Sequence, residues 1–174
     1  MKKTLNNNTF GLLSVLCSIL LMASCGIYSF TGGDVGNAKT IQIDYINNNA
    51  PLVEPTLSQS FTTALQDYFI TQTSLSLVKN NGDLQFEGEI TKYTPDTPIA
   101  ATADQTAAQT RLTIEVNIRF YNREDETKNF EKKISHFYDY AADEVLEGDV
   151  LETAYDEIFE RIHQNIFNAS VANW

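Results

Sequence analysis

The side chains that most often carry out chemistry are few in this sequence, and no motif brings them together. His136 lies on a predicted strand and His163 on a predicted helix, and no motif links either one to a nucleophile. Glu87 and Glu89 share one face of a predicted strand, where paired carboxylates do acid–base chemistry only inside a cleft. The sequence shows no glycine-rich phosphate loop and no cysteine set for zinc. These features favour a binding or scaffold protein without metal or cofactor, and a hydrolase is the catalytic alternative.

The first 25 residues have the composition of a secretory signal. Two lysines precede a mostly apolar run at 10–22, which at about 13 residues is too short to span a membrane. The sequence MASC at 22–25 resembles the lipobox of bacterial lipoproteins, although Met22 stands where that motif usually has leucine. The resemblance implies a signal peptide at 1–24 and a covalent lipid on Cys25. The alternative is an ordinary secreted protein with a chance cysteine.

The charge of the mature chain is strongly negative. Without the two lysines of the leader, 10 basic and 23 acidic residues remain, so attraction to the phosphates of a nucleic acid is unfavourable. Residues 111–133 are the exception, because they carry six basic and five acidic side chains. This stretch is either a place that anions can approach or an ordinary solvated sheet face with mixed charges.

Two elements are predicted after a glycine-rich tether at 25–38. Alternation at 39–46 predicts a half-buried strand, with Tyr45 on the same side as its first two isoleucines. The sequence TLSQ at 56–59 has the spacing of a capping box. An apolar stripe with helical spacing continues from there to about residue 73, which predicts an amphipathic helix.

The middle of the chain predicts two strands and a long loop. A short strand at 75–78 is followed by NNG at 80–82, which favours a hairpin turn because asparagine and glycine tolerate positive φ. Residues 84–90 alternate between apolar and polar side chains and predict the second strand. Residues 94–109 contain two prolines and many small polar side chains, so we expect a loop that is functional or mobile.

Two longer strands follow this loop. Residues 111–121 alternate strictly, and a charged turn at 122–128 leads to a partner strand at 130–140. Phe137 has the wrong parity for the second of these strands, which predicts a bulge there.

A second amphipathic helix ends the domain. The sequence DVLE at 149–152 has the spacing of a capping box, and Arg161 and His163 come late enough to favour the negative end of the helix dipole. The order β-α-β-β-β-β-α predicts one α+β domain at 39–174. It should be an antiparallel-rich sheet of four to five strands, with both helices on one face.

Four blocks of the sequence resemble the LptE family of lipopolysaccharide-assembly lipoproteins. They are CGIYSF at 25–30, PLVEPTLSQSF at 51–61, NGDLQFEGEI at 81–90 and VANW at 171–174. The resemblance implies a non-catalytic protein that is anchored in the outer membrane and faces the periplasm. It also implies that the protein assists assembly of the LptD β-barrel, fills its lumen and helps insert lipopolysaccharide. The alternative is a free periplasm-facing lipoprotein that binds an unknown ligand or envelope component.

The same resemblance implies that lipopolysaccharide can contact basic side chains. No single family ligand residue can be matched to this chain, so the candidates follow from the charge distribution alone. They are Arg111, Arg119, Arg123, Lys128, Lys132 and Lys133.

Overall fold

Two helices and six strands form in the residues that the computed structural model describes, which are 35–99 and 108–172. The strands are β1 (Thr40–Ile43), β2 (Asn47–Asn48), β3 (Ser76–Leu77), β4 (Leu84–Ile99), β5 (Gln109–Asn122) and β6 (Phe130–Ala141). The helices are α1 (Leu57–Gln72) and α2 (Gly148–Ser170), and a short 3-10 helix (Glu126–Lys128) joins β5 to β6. Within these residues, neither helix is long and apolar enough to cross a membrane. The predicted signal peptide, Cys25 and most of the tether lie outside the described residues.

The six strands form one mixed sheet. Their order is β3-β1-β4-β5-β6, and β2 pairs with β4 beyond the end of β1. β1 is parallel to β3 and β4, whereas β4, β5 and β6 are antiparallel. The predicted α+β fold is confirmed. The sheet has six strands where four to five were predicted, since a two-residue strand forms before α1.

β1 lies between β3 and β4, although only six residues separate those two strands in the chain. The hairpin predicted at 80–82 is therefore wrong, because the connection passes alongside β1. Asn81 has a positive φ of 59°, as such a turn allows. Gly82 is needed for another reason: a Cβ there would lie 2.6 Å from the backbone nitrogen of Gln42.

Asp83, directly after this crossing, holds the start of β1. Its Oδ2 accepts hydrogen bonds from the backbone nitrogens of Lys39 and Thr40, both at 2.9 Å, and from the Thr40 hydroxyl at 2.8 Å. These bonds lower the pKa of the Asp83 carboxyl. The chain is already packed before β1, because Ala38 is buried and Val35 lies against the core.

The core lies between one face of the sheet and the two helices. α1 packs on β1, β2 and β3, and α2 packs on β5 and β6. The helices meet at Phe61 of α1 and Phe159 of α2, whose ring centroids are 5.1 Å apart. The predicted alternation of β5 is confirmed, because its inward-facing side chains are at most 1% exposed: Leu112, Ile114, Val116, Ile118 and Phe120.

Three local predictions need correction near β1 and the helix starts. Tyr45 is 50% exposed and Ile46 is buried in its place, because β1 ends at Ile43. The hydroxyl of Thr56 donates to the Glu54 carboxylate at 2.9 Å and does not cap α1. α2 begins at Gly148, where φ is +52°, and no side chain caps it.

β4 continues through part of the segment predicted as a loop. It reaches Ile99, and residues 100–107 lie outside the described part of the chain. Register shifts after Ile90 and Thr94 accommodate this extension. In the part of β4 beyond its pairing with β2, β5 is the only described partner strand. The two prolines of β4 therefore interrupt no ladder on its other side. The bulge predicted at Phe137 is wrong, because the register between β5 and β6 is continuous.

Candidate functional site

The face of the sheet opposite the helices, here the open face, carries a network of polar side chains. Asp44 accepts hydrogen bonds from Gln42 at 2.7 Å and from Gln85 at 3.2 Å. The Gln85 amide also donates to Glu87 at 3.0 Å. Neighbouring strands therefore hold one another's side chains in fixed positions on this face.

Arg119 lies among three carboxylates on the open face. Its guanidinium nitrogens are 3.7 Å from Glu87, 3.7 Å from Glu89 and 3.9 Å from Glu131. The register explains this arrangement, since Glu87 and Glu131 are the cross-strand partners of Arg119. The Glu87 and Glu89 pair therefore faces the guanidinium of Arg119.

Arg111 is held by both an ion pair and an aromatic ring. Its Nε is 2.6 Å from Oδ1 of Asp139 and its second terminal nitrogen is 2.8 Å from Oδ2, which is a bidentate pair. The guanidinium carbon lies 3.6 Å from the centre of the Phe137 ring. The bonds to Asp139 raise the pKa of Arg111. Phe137, 41% exposed, thus supports Arg111 on the open face.

The six predicted cations do not form one patch. Arg111 and Arg119 share the open face with Lys133, whose cross-strand partner is Asn117, whereas Lys132 pairs with Ile118 and has the opposite parity. Arg123 and Lys128 lie in the connection between β5 and β6. Within the described residues, only Arg111 and Arg119 of the six form ion pairs.

The two histidines occupy different environments. His136 is half-buried on β6, and burial together with nearby Arg161 lowers its pKa. His163 is 2% exposed, and burial lowers its pKa to about 3, so it is neutral at pH 7. The predicted dipole role of Arg161 and His163 is wrong, because α2 continues to Ser170 and has no basic residue in its last turn. No group of residues suited to a metal ion occurs in the described part of the chain.

A groove at one end of the domain, here the terminal groove, combines apolar and acidic side chains. Its volume is about 400 Å³. It is lined by Leu52, Val53, Glu54, Tyr93, Pro95, Asp96, Glu144, Val145, Leu146 and Glu147. The sequence does not reveal this groove, because the three segments that line it are far apart in the chain.

A second groove, here the interhelix groove, lies between α1 and α2 and has a volume of about 440 Å³. Its lining residues are Ala64, Asp67, Tyr68, Thr71, Gln72, Asp156, Phe159, Glu160 and His163. His163 contacts three rings: its centroid is 4.8 Å from Phe61, 5.9 Å from Tyr68 and 5.8 Å from Phe159. Its Nε2 is buried and has no hydrogen-bond partner among the described residues. The absence of basic residues from α1 is the sequence signal that could have drawn attention to this surface.

One family model and several solved structures are similar to this chain. The family model described as LptE, lipopolysaccharide-assembly, matches residues 38–170, which include every strand and helix described above. No curated protein gives a significant sequence match.

Several solved structures are similar in fold. The hypothetical protein CT253 from Chlamydia trachomatis is 9% identical with a TM-score of 0.54, covering 78% of this chain and 99% of that chain. A minor lipoprotein from Acinetobacter baumannii is 15% identical with a TM-score of 0.47, covering 75% and 91%. Rare lipoprotein B from Shewanella oneidensis is 12% identical with a TM-score of 0.40, covering 74% and 89%. At these identities the likeness to CT253 shows a shared fold alone.

Proposed function

Because the chain belongs to the LptE family of outer-membrane lipoproteins that act in lipopolysaccharide assembly, we propose that it is the partner of an LptD-type β-barrel. In this role it assists assembly of the barrel, fills its lumen and so helps lipopolysaccharide reach the outer leaflet. The role is non-catalytic. The observation that carries the proposal is the family match over residues 38–170.

The surfaces of the domain support a position inside a barrel. The lumen of an outer-membrane barrel is polar, so a protein that fills it needs polar outer surfaces and a core of its own. The open face carries a network of ion pairs around Arg111 and Arg119, and the apolar side chains on the inner face of the sheet are buried beneath the helices. The fold therefore needs no apolar contact with the barrel.

We also propose that Cys25 carries the membrane anchor. An acyl chain contributes about 0.8 kcal/mol per buried methylene, and a single chain binds only reversibly, so stable anchoring requires two or more chains. The diacylglyceryl group and the acylated amine that the lipobox implies supply them. The domain then lies on the periplasmic side of the outer membrane.

One purification tests both parts of the proposal. The full chain is expressed with its native envelope and extracted in mild detergent. We expect an LptD-type barrel to co-purify in a fixed ratio, and the mass of the mature N-terminal peptide to show acyl chains on Cys25. A stable solitary protein would contradict the barrel role and favour the free periplasm-facing alternative. An unmodified thiol would contradict the anchor.

We propose further that phosphates of lipopolysaccharide contact the predicted cations that are not engaged within the domain. These are Arg123, Lys128, Lys132 and Lys133, which form no ion pair with the described residues. Arg111 and Arg119 contribute less, because each is already paired with carboxylates.

Reversing the charge of Lys132 and Lys133 together is expected to weaken lipopolysaccharide binding by up to roughly thirtyfold, since the two contacts together contribute at most about 2 kcal/mol. Exposed ion pairs contribute about 0–1 kcal/mol each, and about 1.4 kcal/mol corresponds to tenfold. Binding of lipopolysaccharide to the purified full chain measures the effect. The matched control is Lys39→Glu with Lys79→Glu, which changes the net charge equally at another place. Equal losses in both double variants would reject a local contact.

A further inference from the structure

The two helices form the acidic side of the domain. α1 and α2 together contain six carboxylates and one basic residue, Arg161. Four of the carboxylates follow one another at spacings of three or four along one stripe of α2: Asp149, Glu152, Asp156 and Glu160. The open face is more balanced, since Arg111 and Arg119 are paired there with carboxylates. The helix layer therefore suits a basic partner and repels phosphates.

The interhelix groove lies on this acidic side and has the chemistry of a guanidinium site. Asp67 of α1 and Asp156 and Glu160 of α2 line it, and none of its lining residues is a cation. Tyr68 and Phe159 supply aromatic rings, and Glu160 is close enough to Tyr68 to help raise the pKa of that phenol. His163 lies among these rings and leaves Nε2 without a partner in the described structure.

We propose that the interhelix groove receives an arginine side chain from a basic surface of the protein partner. The inference rests on the proposed function in taking that partner to be the barrel. A planar guanidinium stacks on an aromatic ring while its N–H groups donate to carboxylates, a combination that the compact ammonium of lysine cannot match. The chain shows this chemistry on its other side, where Arg111 lies over Phe137 and pairs with Asp139.

Other occupants fit less well. A second copy of the chain would bring its own acidic surface against six carboxylates, and the chain has a net charge of −11. A phosphate group would meet the same repulsion. Charge complementarity therefore selects a cationic protein surface.

The first test is a titration of the acylated full chain in detergent micelles with blocked tripeptides. The probe is acetyl-Gly-Arg-Gly-amide, and its controls carry lysine or the uncharged isostere citrulline. We expect the arginine peptide to perturb NMR signals of Tyr68, Phe159 and His163 at millimolar concentrations. The lysine peptide should bind with at least threefold lower affinity, and the citrulline peptide should not perturb these signals. Absence of any perturbation in the groove, or equal binding of all three peptides, would overturn the inference.

The second test measures how much of the barrel partner co-purifies with variants of the chain. The double variant Asp156→Lys and Glu160→Lys should retain at least tenfold less barrel than the wild type at moderate salt. The matched control, Glu124→Lys with Glu126→Lys, makes the same charge change in the connection between β5 and β6 and should retain the barrel. A photo-crosslinker at Gln72, which lines the groove, should attach to an arginine-containing peptide of the barrel.

The outcomes separate the inference from the proposed function. Full retention by the Asp156 and Glu160 variant, or a crosslink to a second copy of the chain, would overturn the inference and leave the barrel role standing. If the wild type captures no barrel, the proposed function fails. The peptide titration then decides whether the groove binds arginine.

Discussion

Lowering the pH from 7 to 5 is expected to lower the free energy of unfolding by about 2 kcal/mol through His163 alone. The pKa of His163 is about 3 in the folded chain and about 6.5 when exposed, because burial disfavours the charged imidazolium. Between these two pKa values, His163 binds more protons in the unfolded chain than in the folded chain. The contribution of neutral His163 to the free energy of unfolding is therefore complete above pH 6.5 and is lost as the pH falls. The loss reaches about 4 kcal/mol near pH 3.

The groups around His163 do not reverse this direction. Asp67 of α1 and Asp156 and Glu160 of α2 line the same groove and favour the charged imidazolium. Burial beneath Tyr68 and the phenylalanine rings is nevertheless the dominant influence on the pKa of His163. A loss of about 2 kcal/mol is a large part of the stability of an ordinary domain.

Urea unfolding of the wild type and of His163→Leu at several pH values measures this effect. For each protein, the free energy of unfolding is plotted against pH, and the difference between the two slopes isolates the contribution of His163 from that of the carboxylates that also titrate. We expect the slope of the variant between pH 7 and pH 5 to be smaller than that of the wild type. His136→Gln, at the half-buried histidine, should change the slope much less. Equal slopes for the wild type and His163→Leu would contradict the prediction.

Replacing Phe61 with alanine is expected to cost roughly 3–5 kcal/mol of the free energy of unfolding. Phe61 is fully buried, and its ring lies 5.1 Å from Phe159 in an edge-on arrangement and 4.8 Å from His163. Its removal takes away two of the aromatic contacts between α1 and α2 and leaves a cavity in the close-packed core.

Chemical denaturation of the full chain checks this prediction against a control on the same helix. Ile70 is 45% exposed, so Ile70→Ala should stay within about 0.5 kcal/mol of the wild type. If Phe61→Ala does not fold, Phe61→Leu provides an intermediate case that can be measured. A similar small loss for Phe61 and Ile70 would show that the helices do not depend on the Phe61 contact.

The parts of the fold that depend on local pattern could be predicted from the sequence. The alternation of β5 and the apolar stripes of the helices follow from burial on one side, which each element shows in its own residues. The connection at 80–82 could not be predicted in the same way. Asn-Asn-Gly is typical of a hairpin, but a distant segment, β1, lies between the strands that it joins. Local turn chemistry cannot reveal which strand occupies that place.

In the candidate sites too, some features follow from local sequence pattern and others depend on distant segments. Parity alone places Arg111 and Arg119 on one face, and the structure confirms that they share it. Their partners depend on strand register, which brings Asp139 and Glu131 opposite them from the next strand. The interhelix groove depends on how two helices separated by most of the domain pack together. Its carboxylates are visible in the sequence, but their proximity is not.

The position of β1 has a mechanical consequence. β1 is the first strand of the described chain, and parallel ladders to β3 and β4 hold it on both sides. A force that pulls on the N-terminal side of the domain acts along β1, so the backbone bonds of both ladders bear the load together in shear. The bonds from Asp83 to Lys39 and Thr40 lie at the point where this load enters. When a tether at this end is pulled, the backbone hydrogen bonds of the sheet should therefore bear the force first. The helices should be loaded only after the β1 ladders break.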